Sequence, residues 1–172
     1  MRGYRIVRTA VVAGCILMAV ASTAASRSDP FAGVWSAPIC HSPRDAEGCG
    51  EFTLYLEVRK DRICGQHFAA TPGAARMDEG EPGTVLGAVG GTQAVVVIRS
   101  MRNDARYLAT LRRQGAQLVW HIVGKVAAGQ DDEGPIFPGD LTLLKSASVA
   151  HKSQWKTFRS GVCAWSDEPG AP

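Results

Sequence analysis

The chain has 172 residues, of which 45% are hydrophobic, 20% charged and 7% aromatic, with 19 Gly, 9 Pro and 5 Cys. That balance excludes collagen-like, coiled-coil and fully disordered chains and fits one globular domain. The formal charge of +3 comes from Arg2, Arg5 and Arg8, because the 19 basic residues less these three match the 16 acidic ones. A neutral domain has no long-range attraction for nucleic acid or anionic lipid, so neither is an expected partner.

Residues 1–25 read as a secretory signal peptide: three arginines, the apolar run Ala10 to Ala21, then the small residues Ser22, Thr23, Ala24 and Ala25. Cleavage after Ala24 or Ala25 leaves a single domain over residues 26–172, periplasmic or secreted. The apolar run is shorter than the ~20 residues of a spanning helix, so no transmembrane span is expected in the mature chain. Val12-Ala13-Gly14-Cys15 resembles a bacterial lipobox and offers an alternative, a lipid anchor at Cys15. The apolar run continues past it through Ile16, Leu17 and Met18, which favours the signal peptide. Cys40, Cys49, Cys64 and Cys163 remain, an even count that in an exported domain points to two disulfides. No C-x-x-C or clustered Cys/His spacing suggests a metal site.

Strand signals begin at Trp35. Phe52, Leu54, Leu56 and Val58 alternate with Thr53, Tyr55, Glu57 and Arg59, the period of a half-buried strand. A turn at Lys60-Asp61 sets Val58 opposite Ile63, Leu56 opposite Gly65 and Leu54 opposite His67. The other face then carries Tyr55, Glu57, Cys64, Gln66 and Phe68. Residues 84–89 and 94–100 flank a Gly90-Gly91 turn. The consecutive Val95, Val96, Val97 and Ile98 leave both faces apolar, so alternation does not fix the register, and the pair reads as central. A further hairpin from Tyr107 to Val123, turning at Gln114-Gly115, sets Leu111 opposite Leu118, Ala109 opposite Trp120 and Tyr107 opposite Ile122. Asp140 to Lys145 is a last strand, and Val149 to Ser160 a short helix stopped by Gly161. Residues 70–83 and 127–139 are long loops with small residues, Pro and acidic groups.

The expected fold is all-β: about eight antiparallel strands in meander order, closed or nearly closed into a barrel, with a short C-terminal helix. Gly33-Val34-Trp35 at the head of such a meander resembles the calycin group, the lipocalin- and avidin-type up-and-down barrels. There a G-x-W motif opens the first strand, and a helix and a C-terminal segment pack outside the barrel. The resemblance implies that layout for the helix from Val149 and for the Cys64/Cys163 spacing. Ile63-Cys64-Gly65 behind a G-x-W opening is also similar to small secreted bacterial proteins, which implies a fold and a location and no activity. Cys64, on the outward face of its hairpin, is within reach of a C-terminal segment outside the barrel, and Cys40 and Cys49 share a polar loop. The expected pairs are therefore Cys64–Cys163 and Cys40–Cys49. The crossed alternatives, Cys40–Cys64 with Cys49–Cys163 or Cys40–Cys163 with Cys49–Cys64, would tie that loop to the sheet.

No G-x-S-x-G elbow, H-E-x-x-H helix, P-loop or dinucleotide fingerprint is present, and no catalytic residue, cofactor or metal ligand is assigned. His67 is turned onto the inward, apolar face, as a polar anchor for a ligand, as a general base, or, the favoured reading, as a core histidine hydrogen-bonded to a backbone carbonyl near a barrel end. Trp35 and Trp120 fall on apolar faces too, as ligand contacts or as core filling. His121 is expected on the outer face across from Leu108, and His41 and His151 in solvent. Asp131-Asp132-Glu133 reads as a solvated loop, because three consecutive carboxylates cannot converge on one ion. Arg99, Arg102, Arg106, Arg112 and Arg113 are able to recognise anionic groups, but in a neutral domain they read as solubility and edge protection.

The function that follows is an exported, non-catalytic binding protein: a carrier of a small apolar ligand, or an inhibitor or partner of an extracytoplasmic protein. A hydrolase with a dispersed triad and an envelope-associated structural lipoprotein are the alternatives, and fold alone does not separate them. A hollow barrel would favour a small ligand, and a filled barrel with an exposed apolar patch a protein partner.

Overall fold

The structure, a computed structural model, describes residues 29–42, 48–131 and 133–159. The signal segment, Cys15, Asp132 and Cys163 lie outside the described residues. In chain order the elements are β1 (Gly33–Ile39), β2 (Gly50–Arg59), β3 (Arg62–Ala70), β4 (Met77–Glu79), β5 (Val85–Gly90), β6 (Gln93–Arg99), β7 (Arg106–Gln114), β8 (Gln117–Ala127), β9 (Asp140–Lys145) and α1 (Val149–Arg159). Eight strands pair antiparallel around a closed ring, β1-β2-β3-β5-β6-β7-β8-β9 and back to β1. Closure leaves these strands without the unpaired edges that invite aggregation. The remaining strand, β4, adds to the end of β3 inside the segment expected to be loop. No helix among the described residues is long and apolar enough to cross a membrane.

The β2–β3 hairpin has the expected register, with Val58 opposite Ile63, Leu56 opposite Gly65 and Leu54 opposite His67. Lys60, first in its two-residue turn, takes a left-handed φ of 59°. The β7–β8 hairpin is shifted by two residues from the expected pairing: Leu111 faces Trp120, Ala109 faces Ile122, Tyr107 faces Lys125 and His121 faces Thr110. The turn is Gly115-Ala116 rather than Gln114-Gly115. A hairpin turn that opens with a positive φ wants Gly first, and Gly115 takes φ 58° there. A shift of two keeps every side chain on its expected face, so Leu111, Leu118 and Trp120 still point inward.

The inward residues of all eight ring strands form one core. Trp35, Phe52, Leu54, Leu56, Ile63, Val85, Ile98, Ala109, Leu111, Leu118, Trp120 and Leu143 have no exposed surface at all. A cavity large enough for water would expose the groups that line it, so along these residues the barrel is packed solid. The β5–β6 pair, whose register alternation left open, sets Val85 opposite Ile98 and Gly87 opposite Val96. It is one panel of a barrel wall, with Val85, Ala94, Val96 and Ile98 buried inside while outside Leu86 and Val95 are 52% and 49% exposed.

Candidate functional site

Trp35 closes one end of the barrel. Its indole N–H donates to the Phe31 carbonyl at 2.7 Å. The Arg113 guanidinium lies 4.6 Å, and the Lys145 ammonium 5.0 Å, from the centre of its ring. Gly33 takes φ 125°, and a Cβ there would come within 2.9 Å of Lys145 Cε, so the glycine of G-x-W makes room for the lysine that reaches Trp35. Loss of hydration, and then the neighbouring Arg113, pushes the Lys145 amine below its ordinary value.

The opposite end holds a buried polar chain that sequence reasoning found only in part. His67 is inward as expected, and Asp78, delivered by β4, sits beside it with both side chains fully enclosed. Asp78 Oδ1 is 3.2 Å from His67 Nε2, a distance at which the carboxylate pairs with the ring when that nitrogen carries a proton. The Ser100 hydroxyl donates to Asp78 Oδ2 at 2.6 Å, and the Met101 N–H to Oδ1 at 2.9 Å. Burial alone would raise the Asp78 carboxyl, but the His67 ring, the Ser100 hydroxyl and the Met101 amide outweigh it and hold the group below its ordinary value. On the other side of the ring, Thr84 Oγ1 lies 3.2 Å from His67 Nδ1. The Thr84 hydroxyl donates to the Glu81 carbonyl at 2.7 Å, so Nδ1 is the donor in its contact with Thr84. Gly80 passes directly over the ring, where any Cβ would collide with His67.

Phe137, from the long loop before β9, plugs this end. Its ring packs against Phe52 at 6.2 Å, His67 at 5.2 Å and Tyr107 at 5.7 Å between centroids. Trp120 packs against Phe52 with ring centroids 5.1 Å apart and planes tilted by 56°, and its indole N–H donates to the Pro138 carbonyl at 2.8 Å, which ties the plug to the wall. Outside it, Asn103 Nδ2 donates to Asp131 at 2.8 Å, and Glu133 accepts from Arg76 and Arg102 at 2.7 and 3.0 Å. The Asn103 hydrogen bond first, and the arginines after it, lower the Asp131 carboxyl. Asp131 and Glu133 are therefore ties between rim loops, and Arg102 is one of their anchors rather than edge protection.

The structure corrects the reading of His151, which is docked rather than solvated. Its Nδ1 is 2.7 Å from Ser146 Oγ and its Nε2 3.3 Å from Glu51 Oε1. Beside it the Tyr55 hydroxyl donates to Gln154 at 2.6 Å, and burial, then Glu51, pushes that phenol up to about 12. Trp155 completes the seat against Val34 and Tyr55, which fixes α1 on the outside of β1 and β2. His121 is on the outer face as expected, 2.7 Å from Asp140, and His41 is exposed.

The sulfur chemistry agrees in part. Cys40 and Cys49 are bonded, with Cα atoms 4.5 Å apart. Cys64 is buried on the outward face opposite Glu57 and is disulfide-bonded, while its expected partner, Cys163, lies outside the described residues.

A half-open groove of about 270 Å³ runs on the outer wall, lined by Gly83, Thr84, Leu86, Val97, Arg99 and Arg106. Sequence reasoning missed it, because a run apolar on both faces does not say which face is left open. Arg99 and Arg106 face each other across β6 and β7, and Arg99 lies 3.4 Å from Asp104. Of the expected ligand contacts, Trp35 is at the far end of the barrel, whereas His67 and Trp120 meet around Phe52 and Phe137; none of the three lines this groove. Compared with family models, curated proteins and solved structures, the chain matches none of them.

Proposed function

We propose that the chain is an exported, non-catalytic binding protein that engages another extracytoplasmic protein through the outside of its barrel. The supporting observation is the contrast between the two sides of the wall. Inside, the side chains are packed without exposed surface, while outside Leu86, Val95 and the half-buried Val97 and Leu108 form an apolar panel. An apolar panel costs free energy in water, and a protein surface that covers it recovers that cost. The Cys40–Cys49 disulfide suits an oxidising compartment. The eight-strand ring with a helix docked outside suits a calycin-type barrel, here one whose lumen is filled.

The test is affinity capture of the mature protein from envelope extract, followed by native mass spectrometry. The expected result is a chain cleaved after Ala24 or Ala25, free of small ligand, and a protein partner that cross-links to residues on β5–β7. A retained apolar molecule displaced by Phe52→Trp would overturn the reading in favour of a carrier.

A further inference from the structure

Resting on that reading, we propose that the groove of Leu86, Val97, Arg99 and Arg106 is the anchoring site for the protein partner, and that it takes an apolar side chain followed closely by a carboxylate. Three observations carry this. By strand register Leu86, Val97 and Leu108 are neighbours in one outward row across β5, β6 and β7; Leu86 and Val97 give the groove an apolar floor, and Leu108 continues the row beyond it. At its end Arg99 stands directly opposite Arg106. Like charges opposite each other in a sheet repel. Asp104 relieves Arg99 at 3.4 Å, but the Arg106 side chain has no ion pair or hydrogen bond among the described residues. A carboxylate between the two guanidinium groups removes the repulsion and can accept paired N–H donors from each. The Thr84 hydroxyl is turned away, onto the Glu81 carbonyl, so the arginines are the polar recognition groups here.

Size decides between a free small molecule and a protein anchor. At about 270 Å³ and open along one side, the groove falls below the ~300 Å³ of ordinary small-molecule sites and cannot enclose most of a ligand. It matches one inserted side chain of the kind that dominates protein interfaces, with the apolar panel around it to exclude water.

The probe is a glycine-phenylalanine-aspartate-glycine peptide capped at both ends, titrated into the full mature chain carrying labelled Leu and Val methyls. Shifts are expected at Leu86 and Val97, with Leu54 and Leu118 unmoved. The asparagine version of the peptide should bind about tenfold more weakly, the scale of one lost charge-assisted contact. Arg106→Ala should cost as much, and Arg106→Glu should reverse the preference toward the lysine version. Equal binding of the aspartate and asparagine peptides, or shifts confined to other residues, overturns the proposal. So does binding that appears only once residues 160–172 are cleaved off, because those residues, which include Trp165, Asp167 and Glu168, would then be the occupant. Capture from envelope extract separates the two claims. A partner held equally by wild type and Arg106→Glu sinks the groove and spares the binding-protein reading. Peptide recognition without any captured partner does the reverse.

Discussion

Asp78 and His67 meet inside the barrel, 3.2 Å apart with neither side chain reaching solvent, although they come from different strands and Asp78 lies on one of only three residues. The contact fastens β4 and the Ser100–Ala105 turn to the ring, because Asp78 also accepts from Ser100 and Met101. A buried carboxylate held this way stabilises the fold only while it remains ionised.

Asp78→Ala is therefore expected to cost about 3–5 kcal/mol, the range for removing one partner of a buried charged pair. The pH dependence has a definite sign. The folded carboxyl titrates below its unfolded value, so its contribution is complete above the usual carboxylate value of about 3.9 and is lost as pH falls through the folded one. Denaturant melts between pH 6 and pH 2 should show an acid limb that is shallower in the variant. An unchanged limb would mean that Asp78 is not ionised in the folded protein.

Two hydroxyl–imidazole–carboxylate chains are present, Thr84–His67–Asp78 inside and Ser146–His151–Glu51 outside, and neither is expected to react. The Thr84 proton is held by Glu81 and the ring is covered by Gly80. Ser146 Oγ accepts the Ser148 N–H while it meets the wrong ring nitrogen for a base oriented through Nδ1, and it serves to start α1. A fluorophosphonate probe followed by peptide mass spectrometry should find both hydroxyls unmodified. A Ser146 adduct lost in His151→Ala would reopen the hydrolase alternative.

The legibility of the fold varied with the kind of signal. The β2–β3 register followed from alternation plus a turn whose length fixes the pairing, so His67 could be placed inside from residue spacing alone. In β7–β8 the same alternation is satisfied after a slip of two residues, and only the left-handed Gly115 distinguishes the registers. Asp78 was illegible because three residues are too few for a period, and their placement depends on the Phe68–Ala70 edge they join. The outer groove was illegible for a different reason. Four consecutive apolar residues do not tell a covered strand from a barrel wall whose outer face is left open.

Trp120→Ala should cost about 3–5 kcal/mol, since it removes a fully buried indole together with its hydrogen bond to Pro138. The shifted register leaves this expectation intact, because the side chain faces the core in either pairing. A loss below about 1 kcal/mol would place Trp120 at the surface and contradict the β7–β8 pairing.

The two disulfides should contribute unequally. Cys40 and Cys49 are nine positions apart, and closing so short a loop is worth about 2–3 kcal/mol in the chain-entropy model. A Cys64–Cys163 link spans about 100 residues and would contribute about 4–5 kcal/mol in the same model. Non-reducing peptide mapping should recover Cys64 joined to Cys163, and Cys163→Ser should lower stability more than Cys49→Ser. Recovery of Cys64 with any other partner would overturn the pairing.

Phe137→Ala tests whether the lumen is closed by its own side chains. Phe137 sits between Phe52, His67 and Tyr107, so truncation removes the plug as well as about 3–5 kcal/mol of packing. The space left would be lined by three rings and would open at the end of the barrel that carries the rim loops. Wild type is expected to leave a solvatochromic apolar dye such as 1-aminoanthracene unbound, because the middle of its core, Phe52, Leu54, Ile98, Leu111 and Trp120 among others, exposes no surface. The variant is expected to bind the dye in the vacated space, as buried cavities made by truncation accept apolar molecules of matching size. A second substitution, Phe137→Leu, should restore most of the stability and exclude the dye again. Dye binding by wild type at the same affinity as Phe137→Ala would show that the plug leaves on its own, and it would return the small apolar ligand to first place over the protein partner.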